Sequence, residues 1–160
     1  MPQTRLETPQ DLLRFQLRTA MTMEDDSLPA LGELARAARS KEVTRLFEHH
    51  AEETREQIEN LRKVFRLLEL PESSAASPST KGISKQARSL IERAEPALHD
   101  VVTLSCALGN EHYEISAYQS LIVATRAHGA GDAEALLSAN LDQETHTSEE
   151  LLGKLQELAG

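Results

Sequence analysis

The chain has 160 residues, of which 39% are hydrophobic, and its formal net charge is −9. This length suits one domain whose core needs no disulfide or zinc site for its stability. The negative charge argues against nucleic acid and anionic membranes as partners, because neither would be attracted electrostatically. The single cysteine, Cys106, excludes an intramolecular disulfide and any site built from several cysteines, and we expect a small core residue there.

The N-terminus is polar and carries no apolar segment of the kind that opens a secretory signal. No uninterrupted apolar run reaches the roughly 18 residues that a membrane-spanning helix requires. We therefore expect a soluble, cytoplasmic protein.

The first half of the chain predicts two long helices. Thr8-Pro9 is typical of an N-cap followed by the first helical residue, and it starts a helix over 9–38 in which Pro29 should form a kink. Ser40 can cap a second helix over 41–69.

The second half begins with a Pro- and Ser-rich stretch, 71–83, which predicts an exposed connection. A short helix over 84–95 and a long one over 97–127 should follow. The sequence HGAG at 128–131 is a stop signal, and a last long helix fills 132–158.

The order of these helices predicts an all-α fold in one domain over 1–160. Two helical hairpins are separated by a long connection that contains the short helix, and such a connection can carry the chain from one end of a bundle to the other. The predicted architecture is a ferritin-like antiparallel four-helix bundle with a long crossover between its second and third long helices.

The candidate functional residues interrupt the apolar stripes of the long helices. In each long helix, apolar residues recur every three or four positions, and a glutamate breaks this pattern near mid-length. His50 and Glu53 are three residues apart, as are Glu111 and Glu114, so each pair can lie on one helix face. The candidate metal ligands are Glu24, His50, Glu53, Glu111, Glu114 and Glu144. His146 falls on a different face from Glu144, and we leave it out of the set.

Several carboxylates in one core would repel one another and could not all stay ionised. A pair of metal ions, about 3.5–4 Å apart in sites of this kind, would supply the missing positive charge. Oxygen-rich ligation with one imidazole favours iron, with manganese as the alternative. The sequence therefore predicts a carboxylate-bridged di-metal centre inside the bundle.

Four stretches of the chain are similar to a known family. They are HAEETREQIE from His50, NEHYEISAY from Asn110, LDQET from Leu141, and Met23-Glu24 with the Leu-Pro that follows. On these motifs the sequence resembles the YciF/YciE family of bacterial ferritin-like proteins, whose members are also similar to rubrerythrins.

The resemblance implies an antiparallel bundle with a di-metal site, frequent homodimers and a link to bacterial stress responses. The third long helix of rubrerythrins carries a Glu-x-x-Glu pair of ligands, to which Glu111 and Glu114 correspond. The chain departs from the family around Glu24, where Met and Asp residues replace the usual aromatic and basic neighbours. This change puts the groups that surround the metal ligands there in doubt.

Two functions follow as hypotheses. The first is a metal-binding redox protein in which reduced di-iron reacts with oxygen or peroxide. The second is a helical scaffold or stress-related interaction protein whose metal site is structural or vestigial. Storage of iron in a hollow cage is a weaker third, because nothing in the sequence specifies a shell. No substrate is indicated, enzymatic activity stays open, and so do the roles of His112 and Tyr113, whereas we expect Tyr118 to be a packing residue.

Overall fold

The computed structural model describes residues 4–160 and contains five α-helices over that range. The first hairpin consists of α1 (Pro9–Ala37) and α2 (Lys41–Leu67). A crossover with α3 (Pro78–Arg93) and a 3-10 turn (Pro96–Leu98) leads to the second hairpin, α4 (His99–Ala127) and α5 (Gly131–Ala159). The predicted all-α, ferritin-like four-helix bundle is confirmed, with α3 as the short extra helix.

The four long helices begin and end within two residues of the expected positions. The Thr8 hydroxyl accepts a hydrogen bond from the Asp11 N–H, and the Asp11 carboxylate accepts one in return from the Thr8 N–H, which forms a capping box. The Ser40 hydroxyl caps α2 in the same way by accepting from the Val43 N–H. Helix α1 continues through Pro29 to Ala37.

The crossover differs from the expectation, because α3 begins at Pro78 rather than at 84, and it ends at Arg93 rather than at 95. Part of the stretch predicted to be an exposed connection is therefore helical. Ser77 and Thr80 are buried, and the Thr80 hydroxyl donates to the Asp26 carboxylate on α1 at 2.7 Å. These side-chain contacts dock the crossover on α1.

The long helices form a four-sided bundle in which α1 packs on α2 and α4, and α5 packs on α4 and α2. Helix α3 lies outside this bundle and packs on α1 and α4. At one end of the bundle, the Asp100 carboxylate at the start of α4 accepts the N–H groups of Arg39 and Ser40. This contact joins the second hairpin to the turn of the first.

The apolar core is divided into two clusters along the bundle axis. One cluster includes Leu17, Leu61 and Leu137, and the other includes Phe47 and Leu151. Each fully buried side chain of this size contributes about 1.5–3 kcal/mol. The interval between the clusters, at mid-length of every long helix, is occupied by buried polar side chains. None of the helices described combines the length and apolar character that crossing a membrane requires.

Candidate metal centre

The buried polar side chains between the two apolar clusters form a polar layer, which brings together four potential metal ligands from three helices. His50 comes from α2, Glu111 and Glu114 from α4, and Glu144 from α5. One donor atom from each residue lies within 4.8 Å of the others, and all four side chains are buried. Of the six candidate ligands from the sequence, the structure gathers these four around one point.

The arrangement of α4 explains how two of these carboxylates reach the same point. Glu111 and Glu114 are one turn apart, and they continue the inward stripe between Ala107 and Tyr118. Helix α5 packs on both α2 and α4, and His50 and Glu144, near mid-length of α2 and α5, reach the level of Glu111 and Glu114.

Several atoms of the cluster that could bind a metal ion have no hydrogen-bond partner in the protein. His50 Nε2 lies 2.5 Å from Glu111 Oε1, but the contact lacks the alignment of a hydrogen bond. One oxygen each of Glu111 and Glu114, and both oxygens of Glu144, are buried with no hydrogen-bond partner. Buried polar atoms are normally satisfied, so this number of unpaired atoms at one point is what a site for a cation would present.

Glu114 is held in place by two neighbours that do not belong to the four. Its Oε1 accepts a hydrogen bond from the Ser27 hydroxyl at 2.5 Å and another from the Asn110 amide at 3.2 Å. The other oxygen, Oε2, stays unpaired. The hydrogen bonds therefore fix the carboxylate while one oxygen remains available as a ligand.

Glu24 lies in the same polar layer and is fully buried on α1. Its Oε1 accepts a hydrogen bond from the Tyr118 hydroxyl at 2.5 Å, whereas its Oε2 has no partner. The Asn140 amide donates both to the Tyr118 hydroxyl and to the backbone carbonyl of Gln57. Tyr118 packs in the apolar core as expected, and its hydroxyl in addition orients a carboxylate beside the cluster.

Burial and mutual repulsion shift the acid–base behaviour of these groups. Burial raises the pKa of Glu24 well above its ordinary value, and the charge of Glu114 raises it further. Burial, followed by the charge of Glu111, raises the pKa of Glu114 to about 7. Burial and the charge of Glu114 also raise the pKa of Glu144 well above its ordinary value. Burial and the crowding of like charges thus disfavour the ionised forms of Glu24, Glu114 and Glu144.

The imidazole of His50 responds in the opposite sense. Burial alone lowers its pKa, but the contact with Glu111 and the charges of Glu111 and Glu114 raise it by more. The histidine thus lies in a strongly negative environment that favours a cation.

No basic side chain of the bundle core offsets this charge. Among residues 4–160 the only buried Lys or Arg is Lys154, and it pairs with Glu42 and Glu157 rather than with the cluster. Carboxylate oxygens and one imidazole are ligands that suit iron or manganese. The residues present therefore fit a bound metal in number, chemistry and charge.

Glu53, the remaining candidate ligand, lies at the rim of the centre and is not one of the four gathered donors. Its side chain is 15% exposed, and Oε1 lies 3.3 Å from Nε2 of His49. Burial raises its pKa, the charges of His50 and His49 lower it, and charged groups on α5 act on it more weakly. Glu53 is thus placed between the buried cluster and the surface.

A sequence search for glutamates within apolar stripes does not find several other polar residues of the layer. Ser27, Gln57, Asn110 and Asn140 supply hydrogen bonds or unpaired polar atoms next to the carboxylates. The one signal that could have found all four is position, because each lies three or four residues, about one helical turn, from a candidate ligand.

A small cavity adjoins the cluster on the α3 side. Its volume of about 30 Å³ has room for about one or two water molecules. Residues of α1, α3 and α4 line it, including Ser27, Ala87, Cys106 and Glu111. Burial raises the pKa of the half-buried Cys106 thiol, which keeps it in the neutral form. His112 is exposed and points away from the layer, and Tyr113 is half-buried.

Together, the fold and the site define a ferritin-like four-helix bundle with a buried carboxylate–imidazole cluster at its centre. The chain belongs to the family described as the domain of unknown function DUF892, whose profile matches residues 8–160. This family match, together with the similarity to E. coli YciF in sequence and structure, confirms the resemblance to YciF proteins.

Three comparisons illustrate the family relationship. Protein YciF of Escherichia coli K12 is 28% identical over 144 residues, which cover 89% of this chain and 87% of that protein. The crystal structure of the E. coli stress protein YciF superposes with a TM-score of 0.92 at 26% identity, covering 96% of this chain and 98% of that one. YcfI of Rhodopseudomonas palustris, named as a candidate structural protein, gives a TM-score of 0.89 at 30% identity, with 94% and 97% covered.

Proposed function

We propose that this protein binds two metal ions, iron first and manganese as the alternative, in a carboxylate-bridged centre inside the bundle. The ligands are His50, Glu111, Glu114 and Glu144, with Glu24 as a further carboxylate on the α1 side. One observation carries the proposal: the layer buries four carboxylates, and within residues 4–160 no buried lysine or arginine lies beside them.

The charges support two ions rather than one. Four carboxylates carry four negative charges when ionised, and two divalent cations would balance them. The unpaired oxygens of Glu24, Glu111, Glu114 and Glu144 supply the required ligand atoms. Sharing a carboxylate between two ions is common in such sites, where the ions lie about 3.5–4 Å apart.

The surrounding residues would orient the ligands and keep water out. Ser27 and Asn110 hold one oxygen of Glu114, and Tyr118 holds one oxygen of Glu24. Apolar clusters close the layer from both ends of the bundle. Such hydrogen bonds fix ligand geometry and tune the affinity for the metal.

A bound pair of iron ions would supply one-electron chemistry toward oxygen or peroxide, and we propose these molecules as the reactants. The E. coli relative YciF is called a stress protein. We extend a stress-related role to this chain as part of the proposal.

The experiment that tests the proposal measures metal content by elemental analysis after anaerobic loading with ferrous iron. Wild-type protein should hold at least two ions per chain, the two of the buried centre. Glu144→Gln preserves the shape of the side chain but removes its charge, and it should lose one or both ions. Glu149→Gln, at an exposed glutamate on the same helix, is the matched control and should bind as the wild type does.

A wild-type protein that takes up no ferrous iron under these conditions would refute metal binding. Equal metal content in Glu144→Gln and Glu149→Gln would show that the ions bind elsewhere.

The second candidate function is a helical scaffold or interaction protein whose metal ions are structural. The name given to R. palustris YcfI favours it. The two functions differ in turnover: a scaffold would lose thermal stability on chelation, yet its metal-loaded form would show no oxidase or peroxidase activity.

A further inference from the structure

A second set of potential metal ligands lies on the surface formed by α2 and α5. Each helix carries a His–Glu pair four residues apart, and within each pair the side chains are in contact. His49 Nε2 lies 3.3 Å from Glu53 Oε1, and His146 Nε2 lies 2.6 Å from Glu150 Oε1. We call these four residues the surface cluster.

The register of the two helices sets these pairs against each other. Residue numbers fall along α5 as they rise along α2, as three cross-helix contacts show: Glu42 with Lys154, Glu56 with Gln143, and Asn60 with Asn140. In the same register, the His146–Glu150 pair lies opposite the His49–Glu53 pair. The charges of His146 and Glu150 both act on Glu53, as this placement requires. Two imidazoles and two carboxylates thus face one another across the seam between α2 and α5.

The chemistry of the surface cluster matches that of a transition-metal site. Two imidazoles and two carboxylates are donors that bind divalent iron, manganese, cobalt or zinc. The side chains of His49 and His146 are 65% and 69% exposed. They can therefore rotate about their side-chain bonds and approach one ion, although the four donors are not gathered around one point as those of the buried cluster are.

The surface cluster is also connected to the buried centre. Glu53 is less than one turn along α2 from His50, and its side chain is only 15% exposed. His50 in turn contacts Glu111 in the middle of the bundle. From the surface to the buried ligands, His49 contacts Glu53, the charge of His50 acts on Glu53, and His50 contacts Glu111.

We propose that the surface cluster is a second cation site, which captures a divalent transition-metal ion and passes it inward to the buried centre. The capture step depends only on the surface residues. The passage inward rests on the proposed function, because it needs a buried centre that binds metal.

The test is an anaerobic titration with cobalt(II), whose visible absorption reports its ligands, combined with equilibrium dialysis and stopped-flow loading. The variant is His49→Ala/His146→Ala, which removes only exposed imidazoles. His128→Ala, at an exposed histidine at the end of α4, is the control. Metal-free thermal unfolding of each protein verifies the fold.

We expect the double variant to bind one cobalt ion fewer per chain than the wild type and the control. Loss of local cation capture should also slow the filling of the buried centre about tenfold, within the range for electrostatic steering. The final occupancy of the buried centre should be unchanged.

Equal stoichiometry and equal loading rates in the wild type and the double variant would overturn the inference, and the surface cluster would then be an ordinary ion-pair network between two helices. The surface site and the buried metal centre can be tested separately. If the wild type binds only an ion that the double variant loses, and Glu144→Gln changes nothing, the surface site stands and the buried metal centre is refuted.

Discussion

The crowded carboxylates of the buried centre should make the metal-free protein less stable as the pH rises. Glu114 illustrates the effect, because its pKa is raised from 4.5 to about 7 in the folded protein. Between these two pH values, folded Glu114 keeps its proton while the unfolded chain releases it. The folded state therefore binds more protons, and the free energy of unfolding must fall with increasing pH.

The size of the effect follows from the pKa shift. One pKa unit corresponds to about 1.4 kcal/mol, so Glu114 alone should cost on the order of 3 kcal/mol between pH 4.5 and pH 7. Such a loss is a large part of the stability of a typical domain, which is about 5–15 kcal/mol. Above pH 7 the contribution of Glu114 should be constant.

The assay is urea unfolding of chelator-treated protein at several pH values from 5 to 8. Glu114→Gln is the companion variant, since its amide oxygen can still accept the hydrogen bonds of Ser27 and Asn110. The difference between wild type and variant isolates the centre from surface groups, such as Asp11, whose pKa is lowered by its hydrogen bond with Thr8. The wild type should lose stability relative to the variant as the pH rises through this range.

Parallel pH profiles for the wild type and Glu114→Gln would refute this reasoning, because Glu114 would then titrate alike in the folded and unfolded states. Metal-loaded wild type should not show the loss, since bound cations favour the ionised carboxylates.

Two further predictions concern the surroundings of the centre and the outer surface. Tyr118→Phe removes the hydrogen bond to Glu24 and should lower the free energy of unfolding, measured with urea, by about 1–3 kcal/mol. Tyr113→Phe is the control, because this half-buried tyrosine lies outside the network, and it should have little effect in the same assay. The homodimer implied by the family resemblance has an apolar surface available on α1 and α4, where Leu12 and Val123 are 44% and 66% exposed. If the dimer forms through this surface, Val123→Glu should convert it to a monomer, as measured by the molar mass from light scattering. An unchanged dimer mass would exclude this surface as the dimer interface.

The sequence predicts the ends of the helices correctly where capping residues or glycine determine them. Thr8 and Ser40 cap helices as expected, and Gly129, with a φ of +68°, terminates α4 in the left-handed conformation that glycine tolerates. The start of α3 was missed because its first turn is rich in serine, threonine and proline. Pro78 is nevertheless an acceptable first helical residue, and the contact of Thr80 with Asp26 is a tertiary interaction that no local pattern reveals.

The candidate site was predictable to a similar degree. Glutamates in apolar stripes identified the residues of the buried cluster, since a carboxylate there needs a compensating charge. Glu53 lies at the edge of its stripe because Thr54 occupies the inward position, and a spacing of three residues from His50 could not resolve this difference of one position. The roles of Tyr118 and Asn140 depend on the contact of three helices, which a single helix pattern does not contain.

Because α3 covers only one side of the bundle, the two sides of the buried centre differ in polarity and in exposure to solvent. Helix α3 covers the seam between α1 and α4, where the small cavity beside Glu111 has a mainly apolar lining. The seam between α2 and α5, on the other side of the bundle, is uncovered and rich in charge. An uncharged molecule and a hydrated cation would therefore meet different barriers on their way to the same carboxylates, because the two sides of the bundle differ in charge and covering.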